Sequence, residues 1–216
     1  MSRPLRLAVL ISGSGSNLQA IIDAIEAGQL NAEIGLVICN NPDAYGIERA
    51  VRHRLPVDVI DHRDFDSREQ YDAALLKRLR LLDPDYLVLA GFMRILGADF
   101  IEAFKHRILN IHPSLLPAYK GLDTHQRALQ NGESAHGVSI HLVTAELDDG
   151  PILVQGSYPI HPGDTVADLQ ARGHALEHRM YPQLLDWISE RKLCIDSDGR
   201  IQYDQSTLEH PIVFDR

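Results

Sequence analysis

Leu5 to Ile11 is a short, nearly unbroken apolar run that ends in Ser-Gly-Ser-Gly-Ser. From Asn17 to Glu26 the apolar residues then recur at helical spacing until Gly28. That order predicts strand, tight loop, helix. Ala32 to Cys39 and Val57 to Ile60 are two further apolar runs, with a helical stretch around Ile47 to Arg54 between them. Strands that alternate with helices pair in parallel, because a crossover is needed to bring the chain back to the same end of the sheet.

In FDSRE, Asp66 and Glu69 stand three apart, a capping-box spacing that predicts a helix running to about Leu82, just before Pro84. Tyr86 to Ala90 and Arg107 to Ile111 predict strands. The exit of the second, HPSLLPAYKG, is kept out of regular structure by its Pro and Gly residues. Gly137 to Val143 and Ile152 to Ile160 predict strands joined by a turn containing AELDDGP. Thr165 or Asp168 opens a long helix to about Ile188, and KLCIDSDGRIQYD predicts a hairpin around Asp198-Gly199. The fold class expected is α/β: a mostly parallel sheet flanked by helices, with an antiparallel strand toward the C-terminal half.

Composition narrows the partners. With 216 residues the chain is expected to form one domain, residues 1–216. A net charge of -9 is a poor footprint for a protein that binds nucleic acid, although a single phosphate needs only local donors. Cys39 and Cys194 lie far apart with no metal-ligand spacing and are read as reduced. The N-terminal apolar run is too short to span a membrane and lacks a signal-peptide layout, so a cytoplasmic location is expected.

The loop Ser12-Gly13-Ser14-Gly15-Ser16-Asn17 leads from strand to helix, where main-chain N–H groups and the helix dipole favour an anion; the alternative is a turn that only connects. Leu18 stands where the dinucleotide fingerprint needs its third glycine, no Walker lysine is present, and Cys39-Asn40-Asn41 offers no acid for a ribose, so a monophosphate is the simpler ligand. Asn110 and His112 alternate at a strand end and so share one face. An amide donor and an imidazole suit acyl transfer, though a strand-end Asn-x-His also serves purely structural ends. His174 and His178 are spaced i, i+4, which fits a metal or, better, a solvated helix face. No metal is expected.

SGSGSNLQAI, FDSRE, LAGFMRIL, NIHPSLLP and HLVTAELDDGPIL, in that order, resemble the glycinamide ribonucleotide formyltransferase family of purine biosynthesis. The resemblance runs from the first strand to the long helix. It implies a Rossmann-like domain, with residues of about 1–100 forming the phosphate and acceptor half and those of about 101–216 the catalytic and folate half. 10-Formyltetrahydrofolate would be the co-substrate and a small phosphorylated amine the acceptor, with no nucleic acid or membrane as partner; a homodimer is compatible. By motif it implies Asn110, His112 and Asp148 as catalytic residues. Gly15, Ser16, Asn17, His174 and Glu177 would hold the acceptor. Arg68, the segment Met93, Arg94, Ile95 and Leu96, Asn110, and the segment Thr144, Ala145, Glu146, Leu147 and Asp148 would hold the folate. Read alone, MRIL could be core and Arg68 a solvated helix start. The pairing of Asp148 with His112 rests on the resemblance alone. Lys120, Asp123 and His174 depart from the family's more usual residues.

Overall fold

The computed structural model describes residues 3–215; the outermost ends of the expected domain lie outside the described residues. An eight-stranded sheet forms the centre. Its strands are β1 (Leu5–Ile11), β2 (Ala32–Cys39), β3 (Val57–Val59), β4 (Tyr86–Leu89), β5 (Ile108–His112), β6 (Ala135–Leu142), β7 (Ile152–Pro159) and, from the C-terminal end, β11 (Ile212–Val213). They lie in the order β11-β7-β6-β5-β4-β1-β2-β3. Only β6 runs antiparallel to its neighbours β5 and β7. Both the parallel half and the antiparallel strand agree with the alternation of runs. The predicted hairpin is present as β8 (Leu193–Ile195) and β9 (Ile201–Tyr203), extended to a small second sheet by β10 (Ser206–Thr207).

Period-two alternation along β1 divides the core. Leu7, Val9 and Ile11 face one layer, packed with Leu18 and Ile21 of α1 (Ser16–Glu26) and with Met180, Tyr181 and Leu184 of α6 (Val166–Ser189). Ala8 and Leu10 face the other, with Leu75 and Leu79 of α3 (Arg68–Leu82) and Phe100 of α4 (Ala98–Ala103). Burial on both faces explains why these strands read as continuous apolar runs. Truncating a fully buried leucine such as Leu10 would cost ~2–5 kcal/mol.

Two details differ from the sequence reading, and one choice it left open is resolved. The N-cap of α3 is Ser67, whose side chain accepts from Gln70 N, rather than Asp66. A β-region serine with its hydroxyl over the first turn satisfies an orphan N–H there, while Gln70 reaches back to Asp66 N at 3.2 Å. α6 begins after Thr165, with Asp168 as its capping-box partner, so both candidates take part. Two short helices, α4 and α5 (Thr124–Gln130), carry no side-chain cap bond and lay outside the sequence reading; α2 (Tyr45–Arg52) is the helical stretch expected near Ile47.

The chain leaves β1 toward β2 and β3, then returns to the other side of β1 as β4. The crevice outside the ends of β1 and β4 is therefore the topological switch point, where open α/β sheets bind ligands.

Candidate active site

The loop after β1 enters α1 through Gly15, at φ 67°, and no side chain caps the helix. Its first N–H groups are thereby left for an external anion. Gly15 is required here twice over: its φ is left-handed, and a Cβ would stand 2.7 Å from the Gly46 Cα of α2. Ser16 and Asn17 open the helix, and Asn17 is buried. Its side-chain amide donates to Glu177 Oε2 on α6 at 2.8 Å. Burial pushes the Glu177 carboxyl above its ordinary range, opposed by the Asn17 donor and by the His174 charge. The acceptor residues named from the sequence are thus partly joined by a direct bond between α1 and α6. His174 stacks on His178 with ring centroids 6.1 Å apart. His174 is exposed, as a solvated helix face requires, whereas His178 is half-buried: burial depresses its pKa, and its Nε2 is buried without a partner.

β5 carries Asn110 and His112 on one face, and β6 sets His141 opposite Asn110 in the antiparallel register. His141 Nδ1 donates to the Leu142 carbonyl at 2.8 Å, so its Nε2 is free to accept from Asn110 Nδ2 at 3.1 Å. Burial lowers the pKa of His141, which keeps that ring neutral and fixes which way the Asn110 amide faces. One amide hydrogen of Asn110 then remains for a ligand. His141 escaped the sequence reading, because β6 also carries His136 and Ser139 and no motif singles it out.

The connection from β6 to β7 contains Thr144, Ala145, Glu146, Leu147 and Asp148. It folds back through Asp148, at φ 48°, and through Gly150, where a Cβ would meet the Leu142 carbonyl oxygen at 1.8 Å. Asp148 Oδ2 comes to 3.4 Å from His112 Nδ1, and Oδ1 to 3.7 Å from His141 Nε2. The pairing of Asp148 with His112 is therefore present in the structure. His112 Nε2 faces the Tyr119 carbonyl at 2.9 Å, so both nitrogens of this ring face acceptors. Gly121 N donates to Asp148 Oδ2 at 2.9 Å, which places the loop after β5 directly over the pair.

That loop is held as expected of a rigid connection. Leu116 N donates to Ser139 Oγ at 3.0 Å, Gln155 Nε2 donates to Leu116 O at 2.8 Å, and Ser114 Oγ donates to Ala118 O at 2.7 Å. His125 on α5 stands edge-on to His136 of β6, 5.1 Å between ring centroids. Burial depresses the pKa of both.

Met93 to Leu96 form the loop after β4, at the switch point. Met93 and Ile95 are 68% and 60% exposed, whereas Leu96 is buried, so core packing accounts for Leu96 alone. Arg68 is the first residue of α3, half-exposed, with Glu69 as its ion-pair partner at 3.8 Å. Among the described residues, no group of three or more His, Cys, Asp and Glu could hold a metal ion. A cavity of about 940 Å³ lies between α1, α6 and the C-terminal strand, lined by Ser16, Gln19, Arg179, Gln183, Trp187 and Phe214. Ser16 brings one edge of it to the start of α1, whereas Asn110, His112, His141 and Asp148 do not line it.

A carboxylate, two imidazoles and an amide that converge at one strand, beside an uncapped helix N-terminus, define an enzyme of group transfer between small molecules. The model of the family described as formyl transferase matches residues 5–185, and the chain belongs to that family. Within it, phosphoribosylglycinamide formyltransferase of Escherichia coli strain K12 is 46% identical over 189 residues, covering 88% of this chain and 89% of that protein. The solved structure of the phosphoribosylglycinamide formyltransferase of Coxiella burnetii superposes with a TM-score of 0.92 at 46% identity, covering 98% of this chain and 100% of that one. Glycinamide ribonucleotide transformylase 1 of Symbiobacterium toebii gives 0.88 at 43% identity, covering 94% and 95%.

Proposed function

We propose that this chain transfers the formyl group of 10-formyltetrahydrofolate to the amine of N1-(5-phospho-D-ribosyl)glycinamide, in de novo purine biosynthesis. The products are the N-formyl amide and tetrahydrofolate. The observation that carries this reading is the Asp148–His112 pair with Asn110 beside it, on the strand next to the switch-point crevice. Membership of the formyl transferase family supports the group transferred.

The uncapped N-terminus of α1 takes the acceptor phosphate, and Glu177, held by Asn17, takes the glycinamide end. The Met93–Leu96 loop, exposed at Met93 and Ile95, offers an apolar slot with free main-chain groups, which suits a flat pterin, and Arg68 meets the anionic tail of the folate.

The acceptor amine attacks the formyl carbon, and negative charge develops on the formyl oxygen. Asn110 supplies its remaining amide hydrogen to that oxygen, and His112 supplies an N–H once the Tyr119 carbonyl gives way. Asp148 stabilises the imidazolium and receives the proton that the amine loses, directly or through solvent. The bond from the formyl carbon to the folate nitrogen then breaks, and that nitrogen takes the proton. No covalent enzyme intermediate is needed.

Absorbance of the folate during turnover, with and without the glycinamide acceptor, tests the reading. Deformylation that depends on the acceptor is expected. Deformylation by water at the same rate without it would make this chain a hydrolase instead.

A further inference from the structure

The segment from Gly91 to Leu96 belongs to neither helix nor strand, and among the described residues its main chain makes no bond to other main-chain groups. Phe92 and Leu96 pack into the core, but between them Met93 and Ile95 are exposed, and so many unpaired N–H and C=O groups give the loop little rigidity from its own main chain. Its two ends are nevertheless fixed by side chains from distant elements. At the start, Met93 N donates to Ser12 Oγ at 2.7 Å, across the crevice from the loop after β1. At the far end, Gly97 N donates to Asp72 Oδ2, also at 2.7 Å.

Asp72 is a costly residue to place here. It is buried on α3, only 6% exposed, and its second oxygen is buried without a partner. The nearby charges facing it are the guanidinium groups of Arg68 and Arg94 and the carboxylate of Glu69. Core packing of α3 would be served better by an apolar residue. What the carboxylate does achieve is a short, charge-assisted bond to the N–H where the loop turns into α4.

We propose that Ser12 and Asp72 are positioning residues for the formyl donor, gripping the two ends of the Met93–Leu96 loop so that its free main-chain groups stand ready for the pterin. The inference rests on the assignment of that loop to the donor. Neither side chain touches the reacting atoms. Each acts through the loop, so the loss appears in donor affinity, and the phosphate loop beyond Ser12 keeps its own supports: Gly46 N donates to Gly13 O at 3.0 Å and Arg49 Nε to Ser14 O at 2.8 Å.

The test uses the full chain and its Asp72→Ala, Asp72→Asn and Ser12→Ala variants. Donor affinity is measured by calorimetry with 10-formyltetrahydrofolate alone, and KM for both substrates by steady-state assay. Asp72→Ala should weaken donor binding roughly 10-fold or more, the usual scale for losing a charge-assisted bond, with acceptor KM and saturated kcat nearly unchanged. Asp72→Asn, which keeps an acceptor oxygen, should recover most of that loss. Ser12→Ala should shift donor affinity in the same direction by about 3- to 10-fold. If Asp72→Ala does not fold, Ser12→Ala alone carries the test. The inference is overturned if the variants lower thermal stability only, if both KM values rise together, or if Asn is as poor as Ala. Should the native chain bind the folate yet fail to transfer its formyl group, the proposed function falls while calorimetry still judges the loop. If native turnover is acceptor-dependent and donor affinity ignores these variants, the loop inference alone falls.

Discussion

Asp148→Asn is the perturbation that bears most directly on the proposed chemistry, because it removes a charge and little else. Asp148 sits at φ 48°, a left-handed conformation that asparagine tolerates better than other non-glycine residues. The asparagine oxygen can still accept from Gly121 N, so the loop over the site should stay in place. What is lost is a negative charge 3.4 Å from His112 Nδ1, on a side chain 10% exposed. At an effective dielectric constant of about 20, two unit charges at this separation attract by roughly 5 kcal/mol. Only the part gained between ground state and transition state enters the rate, so kcat should fall by ~10²- to 10⁴-fold. His112→Ala should cost a similar factor. Steady-state kcat and kcat/KM for the two single variants and the double variant provide the assay, with thermal melts to confirm that all are folded. Groups that act as one unit lose little more when both are removed. Losses that multiply in the double variant would refute the pairing.

Gly15→Ala should raise acceptor KM by ~10-fold or more and leave donor KM unchanged, since its Cβ meets main chain at 2.7 Å and its φ is left-handed; equal rises for both substrates would remove the phosphate assignment. Burial pushes His125 from 6.5 down to about 4, so the folded state resists its protonation. Stability from this residue is complete above pH 6.5 and declines as pH falls toward 4, by up to ~3 kcal/mol. Urea midpoints at pH 7.5 and 5 should therefore differ less in His125→Phe than in the native chain, and an unchanged difference contradicts the burial argument. Chelators should leave turnover unchanged, given that no metal-ligand cluster exists among the described residues; a loss that zinc restores would contradict this.

The parallel half of the sheet was legible because β1 and β2 are buried on both faces, which leaves an unmistakable run of apolar residues. The short helices α4 and α5 were not, since six or seven residues carry too little periodicity and neither has a side-chain cap. Asp66 was read as the cap in place of Ser67 because both residue types cap helices, and only geometry separates adjacent candidates. The site was legible as motifs rather than as contacts. Asn110 and His112 share a strand, so their common face follows from period two. The meeting of Asp148 with His112 depends on a turn that folds back, and that of Asn17 with Glu177 on two helices 160 residues apart in sequence. The role of His141 depends on the β5–β6 register, which apolar alternation does not specify to the residue.

The central claim is a transfer of one formyl group from folate to amine without loss to water. It is tested most directly with 10-formyltetrahydrofolate carrying ¹³C in the formyl group, incubated with the native chain and the phosphoribosyl glycinamide. Mass spectrometry should find the label in the acceptor, one labelled product for each tetrahydrofolate formed. Label that appears as free formate while the acceptor keeps its mass would contradict the account.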